Sequence, residues 1–280
     1  MTALDNPAWW ALTGPGKSLG RATALAARFD ADVSPFGAFE GLPTADHWSD
    51  MAALTGPGAT VAIISLDEGV LVPPTGWTTP WNRGGIQMVA ANGVGRPRPS
   101  RPLRAGPADP VLSLGADDVP DMLTLVSEAQ PGPFSSRTVD FEGYVGVRRN
   151  GRLVAMAGQR LRLPGFTEIS AVAAHPDHRR QGLAELLICS VAAAIEERGD
   201  VPFLHAQPET TTPYVSMRYS GSPSAAPSGS RCSKLRANRR KLLSARWQHR
   251  SPARPPSDPV SPGSRRHPAR RRRLSIPIGQ

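Results

Sequence analysis

Cysteine is scarce: Cys189 and Cys232 are the only two in 280 residues. That excludes a disulfide-dense scaffold and a cysteine-only zinc site, and suits a reducing cytoplasm. Long apolar runs are missing too, none approaching the eighteen or so residues of a membrane span. The opening MTALDNPAWW has no basic stretch followed by an apolar one, so a secretory leader is not expected. Acid is nearly absent from the last quarter. Residues 210–280 hold one Asp or Glu, Asp258, against 16 of the 33 Lys and Arg. That tail carries +15 and residues 1–209 carry −5, so the net charge of +10 belongs to the tail alone. A basic tail can bind nucleic acid nonspecifically through phosphates. Its aromatic residues after Tyr214 and Tyr219 reduce to Trp247, too few for a base-stacking platform.

The tail also holds 10 Pro and 13 Ser. Such a composition buries too little apolar surface to offset ordering entropy, and disorder is expected over 210–280. A second seam, Arg96-Pro97-Arg98-Pro99-Ser100-Arg101-Pro102, favours extended backbone and marks a linker at about 96–109. The chain divides into an N-terminal accessory region 1–95, the linker, a domain at 110–209 and the disordered basic tail. In the first region Gly58–Leu66 and Gly85–Ala91 read as buried strands and Arg21–Phe29 as a short helix. Gly14-Pro15-Gly16-Lys17-Ser18 resembles the end of a phosphate-binding loop. Position 11 is Ala instead of the required Gly, and Pro15 removes a donor, so a plain loop is expected. Trp9 and Trp10 read as core or interface anchors.

The middle domain has a clearer pattern. Val111–Leu114 reads as a strand, and Asp117 or Asp118 can cap a helix to about Gln130 with Val119, Met122, Leu123 and Val126 on one face. Two strand-like runs, Tyr144–Arg149 and Arg152–Arg162, are joined by Asn150-Gly151, a strong hairpin signal. Thr167–Ala174 is a further strand and Pro202–Ala206 the last. Between them Leu183, Leu186, Leu187, Val191, Ala194 and Ile195 recur at helical spacing up to about Arg198. The loop before this helix is light at Gly182 and Ala184. Its backbone N–H groups can converge at the positive end of the helix, which suits a pyrophosphate.

Arg179-x-x-Gly182-x-Ala184, after a strand and opening a helix, resembles the acetyl-CoA signature of the GNAT acetyltransferases. Ala171-Val172-Ala173-Ala174-His175-Pro176 resembles the family's preceding strand and its exit. The resemblance implies an α/β (α+β) GNAT acyl-CoA N-acyltransferase fold and transfer of acetyl from acetyl-CoA, a co-substrate, to an amine, without a metal. Backbone groups of Arg179, Arg180, Gln181, Gly182, Leu183 and Ala184 would hold the pyrophosphate. Those of Val172, Ala173 and Ala174 would hold the pantetheine and polarise the thioester carbonyl. An alkylamine, with a pKa of about 10.4, needs a base. Glu168 is the first candidate, its other reading being a carboxylate in a surface hairpin, and His205 is the second. His175 and His178 sit three apart, but Pro176 lies between them and no third ligand is near, so loop positions are expected.

The resemblance stops near Glu209, after the fifth strand, where the family continues with another helix and two strands. That continuation contains Asn-x-x-Ala-x-x-Leu-Tyr-Glu-x-Leu-Gly-Phe, whose Tyr protonates the leaving thiolate. Residues 210–222 do not match it. Reading the third base of each codon with the first two of the next permits Asn-x-x-Ala-Leu-Arg-Leu-Tyr-Glu-x-Leu-Gly-Phe over the same stretch. A one-base frameshift near Thr210 accounts for both the shadow motif and the tail. It would leave the strand at 202–206 with an open edge and the transferase impaired. The rival function is nucleic-acid binding through the tail.

Overall fold

The structure, a computed structural model, describes residues 2–65, 71–90, 109–206, 235–236 and 241–249. Its first half begins with helix α1 (Pro7–Leu12), which buries Ala8, Ala11 and Leu12. Three short strands follow, β1 (Gly20–Ala22), β2 (Ala26–Phe29) and β3 (Phe36–Phe39), then helix α2 (Ala45–Thr55), β4 (Thr60–Ser65) and the long β5 (Trp77–Ala90). The expected helix over 21–29 is therefore two strands. All four residues of β2 are buried. Ala27 and Phe29 pack on one side and Ala26 on the other. Burial on both faces removes the alternation that marks a strand, and alanine's helix preference yields to packing. Gly14–Ser18 forms turns and the start of a short 3₁₀ helix after α1. Trp9 packs on the core while Trp10 is exposed.

The second half contains β6 (Leu112–Leu114), helix α3 (Val119–Ala129), β7 (Tyr144–Arg149), β8 (Arg152–Leu163), β9 (Phe166–Ala174), helix α4 (Leu183–Glu197) and β10 (Val201–Ala206). Asn150 and Gly151 both take positive φ, 49° and 80°, as the β7–β8 turn requires. Helix α3 buries Met122 and Leu125, and Leu123, expected inward, is exposed. Of the expected linker only Asp109 is described, ion-paired to Arg149 at 2.7 Å.

One sheet runs through both halves in the order β1-β2-β3-β4-β12-β5-β10-β9-β8-β7-β6, where β12 is Lys241–His249. The expected open edge at β10 is absent. Phe203–Ala206 pair antiparallel with Ile86–Val89 of β5, so the N-terminal half covers that edge. The halves are also joined through residues 137–138. The Arg137 N–H donates to the Asp32 carbonyl (3.0 Å) and the Thr138 hydroxyl to that of Val33 (2.7 Å).

Two stretches depart from the expected disorder of 210–280. They are β11 (Leu235–Arg236), paired to β5, and β12 (Lys241–His249), antiparallel between β4 and β5. Averaging composition over the tail hides this segment, KLLSARWQH, which contains four apolar residues and neither Pro nor Gly. The rest of 207–280 lies outside the described residues.

Candidate active site

Strands β9 and β10 are parallel neighbours only at their starts, Phe166–Glu168 beside Val201–Phe203. Beyond these, β10 pairs with β5 and β9 with β8, and no ladder joins Ile169–Ala174 to Leu204–Ala206. The two strands part toward their carboxyl ends, leaving backbone groups of β9 along the opening without a strand partner among the described residues. Ala171 has a φ of 52°, and one residue of β8, Ala157, stands opposite both Ala171 and Val172. This is a β-bulge, of the kind that re-aims backbone beside active sites. The His175 N–H donates to the Val154 carbonyl at 2.9 Å. Strand alternation from that bond turns the backbone of Ala173 toward β8 and that of Val172 and Ala174 into the opening.

At the mouth of the opening lies the loop 179–182. Arg180 and Gly182 have φ of 62° and 83°, and Gly182 is the N-cap of the 15-residue α4 with no side chain capping it. Two positive-φ residues on either side of Gln181 and an uncapped helix start concentrate N–H donors on one spot. Leu183 is buried in the core, so its backbone alone faces the loop, and Ala184 adds little bulk. The Arg179 Nε–H donates to the Ala174 carbonyl at 3.4 Å, tying the loop to the end of β9. From β7, Arg149 donates to Gln181 Oε1 and, at 3.0 Å, to His178 Nδ1, while Asp109 accepts from its other guanidinium nitrogens. His175 Nδ1 accepts from the Asp177 N–H at 3.2 Å, and its Nε2 lies 3.5 Å from Glu128. Both histidines thus serve to shape the loop. No group of three or more His, Cys, Asp or Glu is placed for a metal among the described residues.

Below the fork, on the side of the sheet away from α4, Glu168 and His205 come together. Glu168 is fully buried, which rules out the surface-hairpin reading. Its carboxylate accepts from Arg160 at 2.9 and 2.6 Å, from the Leu161 N–H at 3.4 Å and from His205 Nδ1 at 2.7 Å. A second irregularity, between β8 residues 159 and 162, brings the Leu161 N–H within this reach. Burial pushes the Glu168 carboxyl pKa up, but the charges and hydrogen bonds of Arg160 and His205 outweigh it and hold the group far below the usual carboxylate range. So stabilised an anion is a poor proton acceptor, and it holds His205 by a hydrogen bond to Nδ1.

Sequence reasoning missed Arg160, whose guanidinium stacks 4.6 Å over the Phe36 ring, and Gln87, whose Nε2 lies 3.2 Å from His205 Nε2. It also missed Tyr144. Burial, with Glu168 nearby, raises the pKa of this phenol, which stays protonated. Its buried hydroxyl has no hydrogen-bond partner among the described residues. No local signal marks these residues, because each acts across strands.

A family model described as FR47-like protein matches residues 144–214. Among solved structures, a GNAT-family protein from Novosphingobium aromaticivorans is similar at 29% identity with a TM-score of 0.71, over 90% of this chain and all of that one. A GCN5-related N-acetyltransferase from Kribbella flavida matches at 15% identity and a TM-score of 0.52, over 88% of this chain and 95% of that one. A GCN5-related N-acetyltransferase-like protein from Streptococcus suis matches at 14% and 0.50, over 86% and 92%. The last two likenesses concern the fold. A search of the curated proteins found no match. Strands parted at a bulge, a loop with positive-φ residues opening α4 and a likeness that takes in most of the N-terminal half agree: the chain has the GNAT acyltransferase fold and is similar to GNAT-family acetyltransferases along most of its length.

Proposed function

We propose that the chain transfers the acetyl group of acetyl-CoA to an amine. The observation that carries this is the junction of the parted β9 and β10 with the uncapped start of α4. The residues present fit the donor. N–H groups from Arg180 to Ala184 would take the pyrophosphate at the helix terminus, and the pantetheine would lie between the strands. A backbone N–H of Val172 or Ala174 would donate to the thioester oxygen as negative charge develops there.

His205 is the base in this reading. Glu168 accepts the Nδ1 proton and leaves the Nε2 lone pair for the amine. As the amine nitrogen bonds to the carbonyl carbon, its proton passes to Nε2. The carbon–sulfur bond then breaks, and the thiolate leaves and takes a proton from water.

Replacing Gly182 by Leu tests the donor site. A β-carbon residue at this φ costs about 1–2 kcal/mol, and the added side chain fills the approach of the phosphates. Calorimetry is expected to show acetyl-CoA binding weakened by about tenfold or more, the factor that 1.4 kcal/mol represents. Unchanged affinity in a folded variant would remove the loop from the donor site.

A further inference from the structure

We propose that Gln87, from the N-terminal half, is a positioning residue of this site, which presents His205 with a proton on Nδ1 and a bare Nε2. The proposal rests on His205 being the base. Gln87 is buried and lies directly opposite His205 in the β5–β10 register, 118 residues away in sequence. Its Nε2 donates to the Leu4 carbonyl at 3.0 Å. Turning the amide over would set Oε1 against that carbonyl oxygen, so Leu4 fixes which end of Gln87 faces the imidazole. The second N–H of the amide then points at His205 Nε2, 3.2 Å away, and that nitrogen must accept. On the other side Nδ1 must donate, because the Glu168 carboxylate only accepts.

The two partners pull in opposite directions. Glu168 favours the imidazolium. The Gln87 N–H favours the neutral ring, since a proton on Nε2 would face another N–H. Among the described residues, the remaining charged or titratable groups on this side are Arg160 of β8, bound to Glu168, and Tyr144 of β7, which is protonated. Gln87 therefore keeps the base ready before the amine arrives. After transfer it disfavours retention of the proton, and the amide yields its place at Nε2 only to the amine. The N-terminal half is thus part of the reaction site, through Leu4, Gln87 and the Phe36 ring beneath Arg160.

Heteronuclear NMR of the imidazole nitrogens in the full chain tests this, with His205→Asn to assign the signal. In the wild type, His205 is expected to show a protonated Nδ1 and a bare Nε2. Gln87→Met keeps the length of the side chain and removes the donor. It is expected to raise the His205 titration midpoint by roughly 0.5–1 pH unit, the worth of one hydrogen bond, with acetyl-CoA affinity unchanged. Gln87→Glu, which accepts from Nε2–H, is expected to raise it further. A bare Nδ1 in the wild type, or an unmoved midpoint in a folded Gln87→Met, overturns the proposal, and should neither variant fold, the wild-type spectrum decides alone. Coenzyme A release by His205→Asn with a panel of amines tests the base separately. Wild-type rates there would sink the base while leaving the tautomer result standing.

Discussion

Arg160→Met is expected to cost the fold about 3–5 kcal/mol, the usual loss when one partner of a buried ion pair is removed. The guanidinium supplies two of the hydrogen bonds to Glu168 and, among the described residues, its only fixed positive charge, and neither side chain reaches bulk water freely. Methionine fills much of the same volume beside Phe36 and leaves the carboxylate with the Leu161 N–H and His205. The double variant Arg160→Met/Glu168→Leu removes the orphaned charge and should recover most of the loss. A well-packed apolar pair is often no less stable than the ion pair it replaces. Denaturant midpoints of the three chains measure this. A single variant within about 1 kcal/mol of wild type, the ordinary effect of a point substitution, would show that the pair is not held as described.

Acid adds a second arm to the same experiment. In the wild type the folded Glu168 carboxyl has a pKa depressed below its unfolded value of about 4.3. Its contribution is therefore fully present above that pH and is lost as pH falls through the lower, folded value. In Arg160→Met the largest depressing influence is gone and burial pushes the pKa upward. The sign reverses, and the deficit of the variant relative to wild type should shrink on acidification. A deficit that does not change with pH would mean that Arg160 acts through packing rather than through charge.

The parts of the fold legible in the sequence share a physical cause. β7, β8 and their Asn150-Gly151 turn announce themselves because a hairpin is a local object, closed by residues adjacent in the chain. α4 is legible because its apolar residues repeat along one face, and the loop before it because Gly182 is needed at a φ of 83°. The N-terminal half offers no such cues. β2 is buried on both faces, and helix α2 has His47 and Trp48 among its buried residues in place of an aliphatic stripe. The first part of β5, from Trp77 to Gly84, takes its strand form from neighbours far away in sequence.

The site divides in the same way. The donor loop is a contiguous motif. Glu168 and His205 were identifiable as titratable groups, but the division of roles proposed for them was not, because it rests on Arg160 and on a displaced ladder between β8 and β9. Gln87 was invisible for a related reason, since pairing of β5 with β10 joins halves that the sequence separates by a proline-rich seam.

Sequencing the gene across codons 205–225 is expected to reveal a shifted frame that encodes the Leu-Tyr-Glu run, and a chain made in that frame should release coenzyme A with amines about 10²–10⁴ times faster, the worth of a positioned proton donor. The FR47-like match ends at residue 214, within the stretch whose shadow reading restores the family's motif. By resemblance, that motif's tyrosine protonates the departing thiolate. The chain as written has Tyr214 and Tyr219 outside the motif, so in the proposed reaction the thiolate depends on water. The effect should fall on rate more than on melting temperature. The edge of β10 is already covered by β5, and α4 already packs through Leu187, Val191 and Ile195 against the core that includes Met88 and Leu204. Acetyl-CoA affinity should be similar in the two chains, because the 179–184 loop precedes the change. DNA without the run in either shifted frame would refute the reading at once, and equal rates from both chains would show that residues 210–280 do not limit the reaction.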